Sequence, residues 1–285
     1  MGLVSVSTHV PNLSFPMVEM KPPSANYRVS VKPNIPFENY CVAVYAASRD
    51  DWVKGARHVI NQSGTGVAYA ALQRNLQGEW ILERKESVEA VAEFLGPGNM
   101  PRHWNGGIIE GGGKVCFQWR EKISWQTKYH KYPNKYPIEL SWYPAKAFTL
   151  AVGGICLLSN QQWEYAAQGG ERNLRYATET GDLIGPDGKM LAYCSVDEAQ
   201  DDTIAVDDSR NSRTPDGIVG MTGNVWEWTD ENLRKEHPYV VRGGTRFSNN
   251  LGGLRVDYRG FDSVSGDRYI DFGVRFGAVV PRTQE

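Results

Sequence analysis

The sequence predicts an α+β, loop-rich fold with few short helices and strands. Thirty glycines stand beside nine tryptophans, fourteen tyrosines and nine phenylalanines in 285 residues. Many turns together with many bulky rings suit irregular loops pinned by aromatic contacts better than a helical bundle. The apolar residues recur in short stretches bounded by glycine, proline or a capping serine, which limits each element to a few turns or a few strand residues. Hydrophobic residues make up 41% of the chain and charged residues 22%, enough apolar mass for a core.

Along the chain, residues 1–37 are proline-rich and read as an extended N-terminal arm, with the folded domain expected over 38–285. Residues 41–47 (CVAVYAA) read as a buried strand. Ser48 with Asp51 three residues on makes a capping box, and Trp52, Val53, Ala56, Val59 and Ile60 form the apolar stripe of the helix that follows. A second helix is expected near 87–95, capped by Ser87 and stopped by Gly96-Pro97. The glycine-rich run 105–114 lacks the Walker spacing and reads as a hairpin before a strand at 115–119.

Residues 136–154 predict a short strand and then a helix opened by Pro144 and closed by Gly153-Gly154. A further helix in 157–170 carries a capping box, Ser159 with Gln162, and turns Trp163, Ala166 and Ala167 to the core. Residues 181–217 are acidic and turn-rich and read as a long irregular connection. No internal repeat is visible.

Composition narrows the function classes. Lys+Arg 31 against Asp+Glu 33 leaves a net charge of −2, without the basic excess that nucleic-acid binding needs. No apolar run approaches 18 residues, so no membrane insertion is expected. The N-terminal residues carry no signal-peptide pattern. Cys41, Cys116, Cys156 and Cys194 are widely spaced without a CxxC pair and are expected as buried free thiols.

Six segments in order carry a resemblance: 140–148 (LSWYPAKAF), 157–170 (LLSNQQWEYAAQGG), 217–228 (GIVGMTGNVWEW), 241–245 (VRGGT), 254–260 (LRVDYRG) and 267–276 (DRYIDFGVRF). Together they resemble the formylglycine-generating-enzyme (sulfatase-modifying factor) branch of the C-type lectin fold, over about 136–280. Val274 stands where the family usually has Phe, and Arg246 where it has an aromatic. Within these motifs Trp163, Trp226 and Trp228 are expected to pack inward, and Asn224 after Gly223 to take a turn at positive φ. Arg242, Arg255, Arg259, Arg268 and Arg275 are expected to bond carbonyls and carboxylates and so pin the loops.

The resemblance implies two enzyme chemistries, and the residues match neither. Formylglycine-generating enzymes bind copper through cysteines after the RGG motif, whereas Thr245 to Phe261 contains no cysteine. Sulfoxide synthases of this fold bind iron through a histidine cluster. Here five histidines are scattered with no HxxxH pair, and HExxH, GxSxG and SxxK are absent. No catalytic residue and no cofactor is therefore expected. A structural calcium among the acidic residues of 182–208 stays open.

The segment Arg242–Gly277 contains no Lys, Glu, Gln, Met or Trp, although composition predicts about seven such residues in a stretch of that length. Randomising the adenines of AAY codons produces this alphabet, because a pyrimidine third base never encodes those five. In this the chain resembles the variable proteins of diversity-generating retroelements, which display randomised residues on this fold. The variable region is expected at about 242–277, with ligand-binding candidates Arg246, Phe247, Ser248, Asn249, Asn250, Val256, Asp257, Tyr258, Phe261, Asp262, Tyr269 and Asp271. Rigid aromatics among small polar neighbours are what binding loops use. The expected partner is a macromolecular ligand on a target cell surface, and the expected location a virion or particle surface, with a cytoplasmic location as the alternative. An oxidase or sulfoxide synthase of the same family, or a non-catalytic paralogue with one fixed partner, are the competing readings.

Overall fold

The computed structural model describes residues 3–23, 39–121, 134–196, 202–232, 239–262 and 271–280. The chain opens with β1 (Leu3–Ser7), β2 (Ser14–Met20) and β3 (Tyr40–Ala43), followed by α1 (Arg49–Asn61). Next come β4 (Tyr69–Arg74), β5 (Trp80–Lys85), α2 (Val88–Leu95), β6 (Ile109–Gly111) and β7 (Lys114–Gln118). Then follow α3 (Trp142–Val152), β8 (Cys156–Leu157) and α4 (Asn160–Ala167). The closing strands are β9 (Trp226–Asn232), β10 (Tyr239–Arg242), β11 (Gly260–Asp262), β12 (Phe272–Val274) and β13 (Phe276–Val279).

An antiparallel sheet in the order β1-β2-β3-β13-β8 runs through the middle of the molecule. Its two faces feed two cores, which is why all four residues of β3 are buried rather than alternating. Phe15, Met17, Cys41, Ala43, Phe276 and Ala278 face α1 and α3, where Phe148 stacks on both Trp52 and Phe276 at about 5.4 Å between centroids. Val18, Met20, Tyr40 and Val42 face α4, with Trp163, Tyr165 and Ala166. Gly55 of α1 lies against the Phe148 ring, where a Cβ would come within 2.4 Å of an aromatic carbon. The helices could not approach so closely with any larger residue.

Here the N-terminal boundary is corrected. Residues 3–20 are a hairpin of the central sheet, not an arm, and β2 pairs with β3 from Met17↔Ala43 to Met20↔Tyr40. The prolines mislead because Pro16 keeps a strand position in β2: its carbonyl still accepts the Val44 N–H, while the Val44 carbonyl is supplied by the Val219 N–H and by Arg275. The 41–47 strand stops at Ala43, and residues 136–141 make single backbone contacts, such as Ile138 N–H to Ala47 O, without a ladder. Helix α3 begins at Trp142, two residues before Pro144. Both capping boxes form as expected, at Ser48/Asp51 and Ser159/Gln162. The described residues of 181–217 contain no helix or ladder strand.

Candidate ligand face

The face is built on a second sheet, β11-β10-β9-β12, and on buried ion pairs beneath it. Glu227 lies between Trp226 and Trp228 on β9 and is fully buried. Its Oε2 accepts from Trp163 Nε1 at 2.6 Å and from Arg275 Nε at 2.9 Å, while Oε1 accepts from Arg275 Nη2 at 2.6 Å. Arg275 also donates to the carbonyls of Ala43, Val44 and Val219, so one guanidinium ties three separate segments. Arg242, at the end of β10, donates to Glu164 at 2.7 Å and to the Val256 carbonyl, with its guanidinium over the Trp163 ring. Burial pushes the Arg242 side chain down to about 10, with Glu164 opposing, so it stays charged at neutral pH.

From these posts the chain after Arg242 can remain irregular. Gly243, at φ +91°, passes so close to Met221 that a Cβ would meet its carbonyl at 2.9 Å. The Arg246 N–H donates to the Asn224 carbonyl at 2.9 Å, and Ser195 Oγ donates to the Arg246 carbonyl at 2.6 Å. Asn224 takes φ +63° as its sequence suggests, and its amide exchanges hydrogen bonds with both backbone groups of Ile204. Leu254 is buried with Tyr176, Leu183, Ala192 and Cys194, so the loop carries its own plug into the fold.

The candidates divide once they are placed. Phe247 is 49% exposed and Tyr258 45% exposed. Asn249 and Asn250 are exposed as well, and Ser248 and Asp257 are half-buried. Asp257 is held by Arg255 through two hydrogen bonds of 2.8 and 2.6 Å, a pairing that keeps its carboxyl below the usual range. The Trp226 ring is half-buried and lies 6.1 Å from Tyr258.

Three candidates are corrected: Arg246, Val256 and Asp271 are buried. Val256 packs into the core under α4. Arg246 folds inward onto Asp271, with Glu139 at 3.5 Å. Asp271 sits at φ +78° with its carboxyl pushed up to about 7 by burial, against the pull of Arg246. For Phe261 and Asp262 only the backbone, in β11, is described, and Tyr269 and Arg268 lie outside the described residues. Arg255 is a surface residue bound to its neighbour Asp257 rather than a buried post, and Arg259 reaches toward Glu164 at 3.7 Å.

Sequence reasoning missed two members. Leu251 is 50% exposed beside the asparagines, and a lone leucine in a glycine-rich loop carries no periodic signal. Glu139 is buried beneath Arg246 and lies between apolar residues in the YPIEL stretch, where a single acid was the available clue.

Residues 52–277 match the family described as the sulfatase-modifying factor enzyme 1-like domain. A 120-residue stretch is 29% identical to the formylglycine-generating enzyme of Streptomyces coelicolor; it covers 40% of this chain but only 37% of that protein's length. Among solved structures, that of CarF is similar at a TM-score of 0.51 and 15% identity, covering 99% of both chains. Treponema denticola variable protein 1 is similar at a TM-score of 0.47 and 14% identity, covering 96% of this chain and 99% of that one.

Proposed function

Because the chain belongs to the sulfatase-modifying factor enzyme 1-like family and has its α+β, C-type-lectin-type fold, we propose that it uses that scaffold for non-covalent recognition. In this reading it displays diversified side chains to a macromolecular ligand on a target cell surface. One coincidence carries the reading. The segment that lacks Lys, Glu, Gln, Met and Trp is also the segment whose exposed positions stand on buried posts. Phe247, Asn249, Asn250, Leu251 and Tyr258 can change there with little cost to the fold, since exposed substitutions seldom move stability by more than about 0.5 kcal/mol. The aromatic pair supplies contact area at low entropic cost, and the asparagines supply adaptable hydrogen bonding.

The oxidase reading fits less well. A copper site of the family's kind needs cysteines after RGG, and Thr245 to Phe261 has none. Cys41, Cys116 and Cys194 are buried, and burial raises Cys116 to about 12 and Cys156 to about 11, away from the thiolate form that a metal takes. The residues do not fit that copper. A virion or particle surface suits a displayed binder of this kind.

Sequencing the gene across a natural population tests the proposal. Substitutions should concentrate at 247–250 and 257–258 in AAY-derived codons, and be rarer at the buried positions 246, 256 and 271. Even variation along the whole chain would overturn the diversified reading and leave a fixed-partner binder.

A further inference from the structure

Beneath the exposed loop lies a buried charged cluster of Glu139, Arg246 and Asp271. Asp271 precedes β12, and its backbone N–H donates to Glu139 Oε1 at 3.2 Å. Its carboxylate is in ionic contact with Arg246, whose Nη1 also lies 3.5 Å from Glu139. From the start of α1, Arg49 reaches Glu139 at 3.8 Å, and Asp202 of the acidic connection adds its negative field to Asp271. Among the described residues, the charged groups facing Asp271 are Arg246 from the loop after β10, Glu139 from the segment before α3, and Asp202, with Arg49 behind Glu139.

Two details make this cluster more than packing. The Arg246 guanidinium carbon lies 4.3 Å from the centroid of the Phe247 ring, so the cation that the carboxylates hold also fixes a ring on the exposed face. Arg246 Nη1 is also shared between two carboxylates, in ionic contact with Asp271 Oδ1 and 3.5 Å from Glu139 Oε1, so removing the charge of one changes the pull on the guanidinium.

We propose that Asp271, Glu139 and Arg246 form a proton-responsive positioning cluster that sets Phe247 on the ligand face, so that recognition there depends on pH. This rests on the ligand-face reading only for the word recognition; the coupling from Asp271 to Phe247 is a property of the chain itself. With Asp271 ionised, Arg246 is drawn to it and the Phe247 ring is capped by the guanidinium. With Asp271 neutral, the pull of Asp271 on Arg246 is lost, and the guanidinium shifts toward Glu139, 3.5 Å from Nη1, and away from the ring. Burial already places the Asp271 transition near neutrality, in the range that a particle meets when it passes into an acidic compartment.

The test uses the full chain with 4-fluorophenylalanine placed at position 247 alone, followed by 19F NMR from pH 5 to 8.5. The wild-type resonance should titrate with a midpoint near 7. In Asp271→Asn, which keeps a side chain tolerant of positive φ, that titration should vanish. In Arg246→Lys, which keeps the charge without the planar fork, the midpoint should persist with a smaller shift. A wild-type resonance flat across this range, or the same titration in Asp271→Asn, would overturn the proposal. Because no ligand is involved, that failure is separate from a failure of the population-sequencing test. If Asp271→Asn does not fold, the wild-type and Arg246→Lys profiles decide between these outcomes.

Discussion

Arg275 and Glu227 form a two-pronged ion pair, 2.9 and 2.6 Å, with no side-chain exposure to solvent beyond 1%. It joins β9 to the single residue between β12 and β13, where the chain passes from one sheet to the other. Both charges are almost fully satisfied, by Trp163 on one side and by three backbone carbonyls on the other. Such a pair adds little over an apolar substitute but is costly to break from one side, because the survivor is a buried charge without its counterpart.

Replacing Glu227 with Gln should therefore cost about 3–5 kcal/mol. Urea unfolding followed by tryptophan fluorescence measures it. A loss below about 1 kcal/mol would mean that the pair is not a post.

The exposed rings should behave oppositely. Phe247→Ala and Tyr258→Ala are each expected to change stability by no more than about 0.5 kcal/mol. In contrast, Arg246→Ala strips a buried cation from Asp271 and Glu139 and should cost on the order of 2–4 kcal/mol. The same unfolding assay distinguishes a displayed surface from a core.

Asp271 gives a pH signature of known sign. Its carboxyl is raised from the model-peptide range to about 7, with burial the dominant cause. The folded state thus holds the proton more tightly than the unfolded state. Its contribution to stability is favourable below the unfolded value near 4, is lost as pH rises to 7, and stays absent above. Asp271→Asn should accordingly gain on the wild type as pH rises from 5 to 8, by on the order of 2 kcal/mol. Thermal melts of both proteins at the two pH values check this.

Deleting residues 1–20 should abolish folding. Leu13, Phe15, Met17, Val18 and Met20 are buried between the two cores. At about 1.5–3 kcal/mol each, their loss is comparable with the whole stability of an ordinary domain. Expression yield and circular dichroism of the truncated chain show it directly.

The thiols should be nearly inert in the folded protein. With Cys116 at about 12 and Cys156 at about 11, the thiolate fraction at pH 8 is at least about a hundredfold below that of a free cysteine. A colorimetric disulfide reagent should report slow reaction in buffer and four rapid equivalents in denaturant. One fast native thiol would reopen the case for chemistry at a cysteine.

Local signals accounted for the elements that sequence alone specified. Ser48 with Asp51, Ser87, and Ser159 with Gln162 start the helices where their capping chemistry says, because a cap is a contact between residues three apart. Asn224 announces its own positive φ for the same short-range reason. The missing residue types in Arg242–Gly277 were equally plain, being a matter of composition. What tertiary structure decided was which side of each loop faces water. Arg246, written as a surface residue, turns inward because Asp271 and Glu139 converge on it from positions 25 and 107 residues away in sequence. Likewise, the N-terminal residues became an edge hairpin of the central sheet because β3, paired with β13 on one side, left its other side for β2 to complete. Hydrogen bonds and ion pairs between distant segments are not encoded by spacing, and burial of charge depends on partners that only the assembled fold brings together.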